Sequence, residues 1–305
     1  MRDDRPARGN LRTARRNLRR NLRIACAGLA VALTVGATTP PETGLDCPRA
    51  KEVAMELVAS AENSTLDWRS QYQYIEDIGD GQGYTGGIIG FCSGTGDMLE
   101  VVTLYTRHKP ANPLAAFLPA LRKVNGTSSH AGLGDPFVKA WKAAAADEAF
   151  QAAQEEERDH VYFGPSVRRA KEDGLRTLGQ FVYFDAIVMH GGGDDRNGFG
   201  FIRKSAMARA KPPALGGDEA AYLNAFLDAR KAAIKRATVH GNTSRVDTEQ
   251  RVFLNERNFD LEPPLRWKTY GDPYEIRTWP SPEAHSPESH SPESHSPEDP
   301  HHQPA

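Results

Sequence analysis

Apolar residues recur at helical spacing over 51–61, where Val53, Ala54, Leu57, Val58 and Ala61 fall on one face and predict an amphipathic helix. The rhythm changes over 72–92. Tyr72, Tyr74, Ile75 and Ile78 alternate with polar positions, glycines follow at 79, 81, 83, 86 and 87, and Ile88, Ile89 and Phe91 close the stretch. That pattern predicts a strand, tight turns and a second strand. From about residue 97 the period is helical again, over 98–106, 113–123, 136–157, 165–190, 200–210, 218–239 and 245–255. Pro119, Pro136, Pro165 and the pair Pro212–Pro213 punctuate these segments as helix starts or breaks. Mostly helix with one early β element is an α+β pattern, here spread over roughly 45–278 with no internal repeat.

The two ends follow different rules. Residues 1–37 carry nine arginines, no lysine and two acids, Asp3 and Asp4, and finish on the apolar run Ile24–Ala37. A basic stretch, a short apolar run and the small residues Val35-Gly36-Ala37 read as a secretory leader cleaved after Ala37. The run is shorter than the roughly 20 residues of a membrane span, so the mature protein is expected to be extracellular, with no membrane partner. Arg15-Arg16 and Arg19-Arg20 leave both the general and the twin-arginine export routes open. After Trp279 the chain has no large apolar residue and repeats Ser-Pro-Glu-Ser-His. Such a segment cannot bury enough surface to offset its ordering entropy. The division is therefore a leader over 1–37, a folded domain over 38–280 and a disordered tail over 281–305. The tail's five histidines are read as part of a solvated extension rather than as metal ligands.

Losing the leader changes the charge. The whole chain has 38 basic and 40 acidic residues; without residues 1–37 these become 29 and 38, a net charge near −9. That balance argues against nucleic acid, whose phosphates need a basic footprint, and suits a cationic partner. With Cys26 inside the leader, Cys47 and Cys92 remain as an even pair in an oxidising compartment, a disulfide candidate. Two free thiols are the alternative.

Two carboxylates carry the candidate chemistry. Glu62 closes the first predicted helix just after its apolar face, where partial desolvation would keep a carboxyl protonated as a general acid. Asp80 lies in the glycine-rich turn Asp77–Gly83, a polar setting that keeps a carboxylate ionised. Two carboxyls pushed apart by their environments form the acid/base pattern of glycosidases. Taken alone, a helix-end carboxyl is also an ordinary surface group, and an Asp-Gly an ordinary turn.

The run Ala61-Glu-Asn-Ser-Thr-Leu-Asp-Trp68 is followed by Tyr74-Ile-Glu-Asp-Ile-Gly-Asp-Gly81 and Tyr84-Thr-Gly-Gly-Ile-Ile-Gly-Phe-Cys-Ser-Gly-Thr-Gly-Asp97. Further on come Tyr183–Gly191, Phe226–Lys231, Thr243–Arg251 and Trp267–Pro273. Together these resemble the chitosanases of glycoside hydrolase family 46 over about 46–276, outside the leader and the tail. The resemblance implies a lysozyme-like, two-lobed α+β fold with a central substrate cleft, and endo-hydrolysis of the β-1,4 bonds of chitosan with inversion. It implies Glu62 as the acid, Asp80 as the base and Thr85 as a holder of the attacking water. It also implies Asp97 as a partner of the sugar ammonium, Tyr74 and His190 on the same sugar-binding surface, and Asp185, Arg230 and Arg245 as an ion network behind the acid. A carboxylate facing an ammonium is a charge-assisted contact that acetylation would abolish.

Many relatives carry arginine where this chain has Gln82, so a charged contact near the base is missing. Two other readings compete: a muramidase on the same scaffold, and a non-catalytic chitosan-binding module. Peptidoglycan sugars offer no ammonium to Asp97, and both carboxylates are present, so each is the weaker reading. The reaction class needs no cofactor or metal, no such motif stands out in the domain, and the enzyme is expected to act as a monomer.

Overall fold

The computed structural model describes residues 44–237 and 241–280. The leader, Cys26, the first residues assigned to the domain, positions 238 and 239 of one predicted helix, and the histidine-bearing tail lie outside the described residues. Ten α-helices and five short strands follow one another among those described. They run α1 (Pro48–Glu62), β1 (Ile75–Glu76), β2 (Thr85–Gly86), β3 (Phe91–Cys92), α2 (Asp97–His108), α3 (Leu118–Val124), α4 (Gly134–Ala144) and α5 (Glu148–Arg158). Then come α6 (Gly164–Glu172), α7 (Thr177–His190), α8 (Phe199–Met207), α9 (Glu219–Ala237), α10 (Arg251–Asn255), β4 (Leu265–Thr269) and β5 (Asp272–Ile276). Strands β1–β3 form one small antiparallel sheet and β4–β5 a hairpin. The α+β expectation holds.

Two predicted helices are each two. Residues 136–157 break at Asp147, whose carboxylate accepts from the Ala149 N–H at 3.1 Å and so caps α5. Residues 165–190 break at Gly174, which adopts φ +77°, a left-handed turn that ends α6. The segment 245–255 begins as a wide π-helical turn, Arg245–Gln250, before α10. The β4–β5 hairpin went unforeseen, although Leu265, Trp267 and Thr269 alternate inward against Arg266 and Lys268.

Helix α7 is the axis of the core. All twelve residues from Thr177 to Val188 are buried, as expected of a helix that is apolar around its whole circumference. The one carboxylic acid of that run, Asp185, has no solvent exposure. A charge in such a place needs partners.

No disulfide joins Cys47 and Cys92, which corrects the disulfide candidate. The reason is geometric. Cys47 caps the start of α1, a 15-residue helix that is about 22 Å long. Cys92 sits beyond the other end of α1, on β3, close enough to Tyr74 to act on its hydroxyl together with Glu62. Its sulfur contacts Thr85 Oγ1 at 3.5 Å and the Gly90 carbonyl at 3.4 Å.

Candidate active site

Helix α1 delivers Glu62 as its last residue. The helix ends there because Asn63 leaves helical geometry while its N–H still bonds the Ala59 carbonyl at 2.8 Å. The sequence points to a half-desolvated apolar setting for Glu62; the structure gives it a charged one. Its Oε1 accepts from Arg245 Nη2 at 2.5 Å, with 32% of the carboxylate side chain accessible and 5% of the arginine.

Behind Arg245 lies the ion network. Asp185 Oδ2 accepts from Arg230 Nη1 at 2.5 Å and from Gln250 Nε2 at 2.6 Å, while Arg245 Nε lies 3.3 Å from Asp185 Oδ1. Burial works against both charges, yet the two arginines hold Asp185 below the usual carboxylate range. Arg245 in turn is raised despite its burial, through Asp185 and Glu62. Asp185, Arg230 and Arg245 are thus brought together as the resemblance implied, with Glu62 at the solvent end of the chain of contacts.

Glu249 also belongs to this cluster, and sequence reasoning missed it. It is fully buried, accepts from Thr269 Oγ1 at 3.1 Å, and leaves its other oxygen without a partner. Burial first, then Asp185, pushes its carboxyl well above the usual range. The only available signal was its place four residues after Arg245, one helical turn away.

His190 ends α7 and faces the same arginines: Arg230 Nε donates to its Nε2 at 3.4 Å. Burial, then Arg230 and Arg245, push its pKa down to about 3, so the ring is neutral and accepts.

The small sheet brings the rest. Asp80 lies in the β1–β2 connection, exposed, with Oδ1 accepting from the Gln82 N–H at 2.9 Å and Oδ2 from Gln82 Nε2 at 2.7 Å. Gln82 therefore supplies Asp80 with neutral donors only from its own backbone and amide. Thr85 follows on β2, 8% exposed. Tyr74, just before β1, donates to Glu76, and its hydroxyl is raised first by burial and then by that bond, with smaller contributions from Cys92 and Glu62. Tyr74 therefore stands at the start of β1 within electrostatic reach of Glu62.

Asp97 is buried rather than laid open on a surface. It follows Gly96, which adopts φ +95°, and its Oδ2 accepts from the Tyr162 hydroxyl at 2.6 Å and Thr95 Oγ1 at 3.2 Å, with 3% of the residue exposed. Among the described residues no group of three or more His, Cys, Asp or Glu is arranged to hold a metal, and no helix is long and apolar enough to cross a membrane.

Comparison with known proteins bears on the family and the fold. The chain is 65% identical over 256 residues, 84% of its length and 92% of the relative's, to a chitosanase of Streptomyces sp. strain N174. It is 62% identical over 257 residues, again 84% and 92% of the two chains, to a chitosanase of Nocardioides sp. strain N106. The solved co-crystal structure of chitosanase OU01 with substrate superposes with a TM-score of 0.75 at 55% identity, covering 77% of this chain and 99% of that one. The mostly helical architecture with small antiparallel sheets is therefore the expected lysozyme-like α+β fold. The model of Glycosyl hydrolase family 46 matches residues 56–265, a span that includes Glu62, Asp80, Asp185 and Arg245, and the chain belongs to that family.

Proposed function

We propose that this protein is an endo-chitosanase that hydrolyses β-1,4 bonds between glucosamine units, with Glu62 as general acid and Asp80 as general base. The observation that carries the reading is the seat of Glu62: a solvent-reachable carboxyl held by Arg245 at 2.5 Å, beside the sheet whose first turn bears Asp80. The relatives named as chitosanases, and the one crystallised with substrate, support the same substrate. Glu62 gives its proton to the leaving oxygen while Asp80 takes one from water. Thr85 steadies that water, and carboxyls about 6.5–9.5 Å apart leave room for it and invert the anomeric carbon.

Asp97 offers a carboxylate to a sugar ammonium at the edge of a site already ordered by Tyr162 and Thr95. Tyr74 and His190 line the sugar surface, and His190, being neutral, does not repel an ammonium. The leader-like segment 1–37 supports export, and the acidic mature charge supports attraction to a cationic polymer, in a monomeric enzyme without a cofactor.

Proton NMR of a glucosamine oligomer during the first minutes of digestion tests the reading. Wild-type protein is expected to release the α-anomer first, and Glu62→Gln and Asp80→Asn to lower the rate at least about a hundredfold. A β-anomer appearing first, or either folded variant retaining a tenth of the rate, sinks the assignment.

A further inference from the structure

The turn of the β4–β5 hairpin carries an aromatic residue that local geometry disfavours. Thr269 pairs with Asp272, which leaves Tyr270 and Gly271 as a two-residue loop with φ +55° and +99°. Positive φ at both central positions is a type I′ turn, the setting that favours Asn-Gly. A bulky side chain at the first position is an outlier, and such outliers persist where something else depends on the residue. The fold gains little from the ring: Tyr270 is 52% exposed, one of four large exposed apolar or aromatic residues among those described.

Its location is fixed firmly. Trp267 Nε1 donates to Ser60 Oγ at 3.0 Å, two residues before Glu62, and so ties the hairpin to the end of α1. The Tyr270 N–H donates to Ser244 Oγ at 3.0 Å, and Thr248 Oγ1 donates to the Lys268 carbonyl at 2.6 Å, which binds the turn to the segment that supplies Arg245. The hydroxyl lies within electrostatic reach of Arg245 and Glu62, then of Asp185 and Glu249. A half-exposed aromatic residue thus stands within electrostatic reach of the proposed general acid.

We propose that Tyr270 is a substrate platform, taking the glucosamine unit next to the cleaved bond and holding its ammonium against the ring. The inference rests on the reading of Glu62 as the centre of a chitosan cleft. A cation within about 6 Å of an aromatic centroid is attracted by the ring's quadrupole, more strongly as water leaves. The apolar face of a pyranose fits the same surface.

The test is isothermal titration of a glucosamine hexamer into the full-length Glu62→Gln protein, alone and combined with Tyr270→Asn or Tyr270→Phe. Asn suits a type I′ turn, so Tyr270→Asn is expected to raise or preserve the melting temperature while raising Kd about five- to tenfold. Tyr270→Phe is expected to stay within about twofold, and an N-acetylated hexamer to respond less to the Asn change. Unchanged Kd in Tyr270→Asn, or a loss of binding that accompanies a lower melting temperature, overturns the platform. Absence of hexamer binding by Glu62→Gln itself overturns the cleft reading as well, which separates the two failures.

Discussion

Replacing Asp185 by Asn removes one charge and changes almost no volume, at a residue with no exposure that lies between two guanidiniums. Arg230, equally buried, loses the carboxylate that accepts from its Nη1 at 2.5 Å, and Arg245 keeps Glu62 alone as an ion-pair partner among the described residues. Breaking a buried pair from one side costs about 3–5 kcal/mol, because the remaining charge stays buried. At about 2–4 °C per kcal/mol for a domain of this size, the melting temperature should fall by roughly 6–20 °C. Calorimetry at pH 6 measures this. The surface pair Arg266–Glu275, with 70% and 27% side-chain exposure, is the control: Glu275→Gln should leave the melting temperature nearly unchanged. The pH dependence adds a second check. Asp185 is depressed in the folded state, so its contribution is present above the unfolded value of about 3.9 and lost as pH falls through the lower folded value. The gap between wild type and Asp185→Asn should stay level from pH 5 to 8 and narrow below about pH 4. A melting temperature within about 2 °C of wild type would refute the reasoning.

Two further expectations follow from buried or half-buried groups. Glu56 on α1 is raised to about 7, first by burial and then by Glu52, so its contribution to stability is present below pH 4.5 and lost as pH rises through about 7; Glu56→Gln should flatten the melting-temperature profile between those values, and an unchanged slope would count against the shift. Cys47 and Cys92 should both react with a thiol reagent after unfolding without reductant, and dithiothreitol should leave the melting temperature unchanged, whereas a drop of several degrees would restore the disulfide.

Local pattern made the first half of the site legible. The apolar face of 51–61 ends where Glu62 begins, and the glycines around Asp80 mark a turn because they adopt positive φ at 79, 81 and 83. What surrounds those carboxyls was not legible locally. Arg245 reaches Glu62 across 183 positions, so a desolvated acid expected from neighbouring apolar residues turned out to be an ion-paired one. Glu249 stands in a polar-looking Thr-Glu-Gln run and is buried only because a π-helical turn rotates it toward Asp185. The β4–β5 hairpin hid behind a Tyr-Gly turn in place of the usual Asn-Gly, and the partner that orders Asp97, the Tyr162 hydroxyl, lies 65 positions away.

The burial of α7 has a consequence for how the two halves of the chemistry behave in time. Amide groups of a helix enclosed over twelve consecutive residues exchange with solvent only when the whole domain opens. The support of Glu62 hangs on that helix through Asp185, so the acid's geometry is set once, at folding, and heat should abolish it in a single step with the melt. Asp80 belongs to the other regime: an exposed turn held mainly by Gln82, whose amides should exchange through local opening long before unfolding. One carboxyl is cast into the frame, and the other stands on a turn that is expected to open locally.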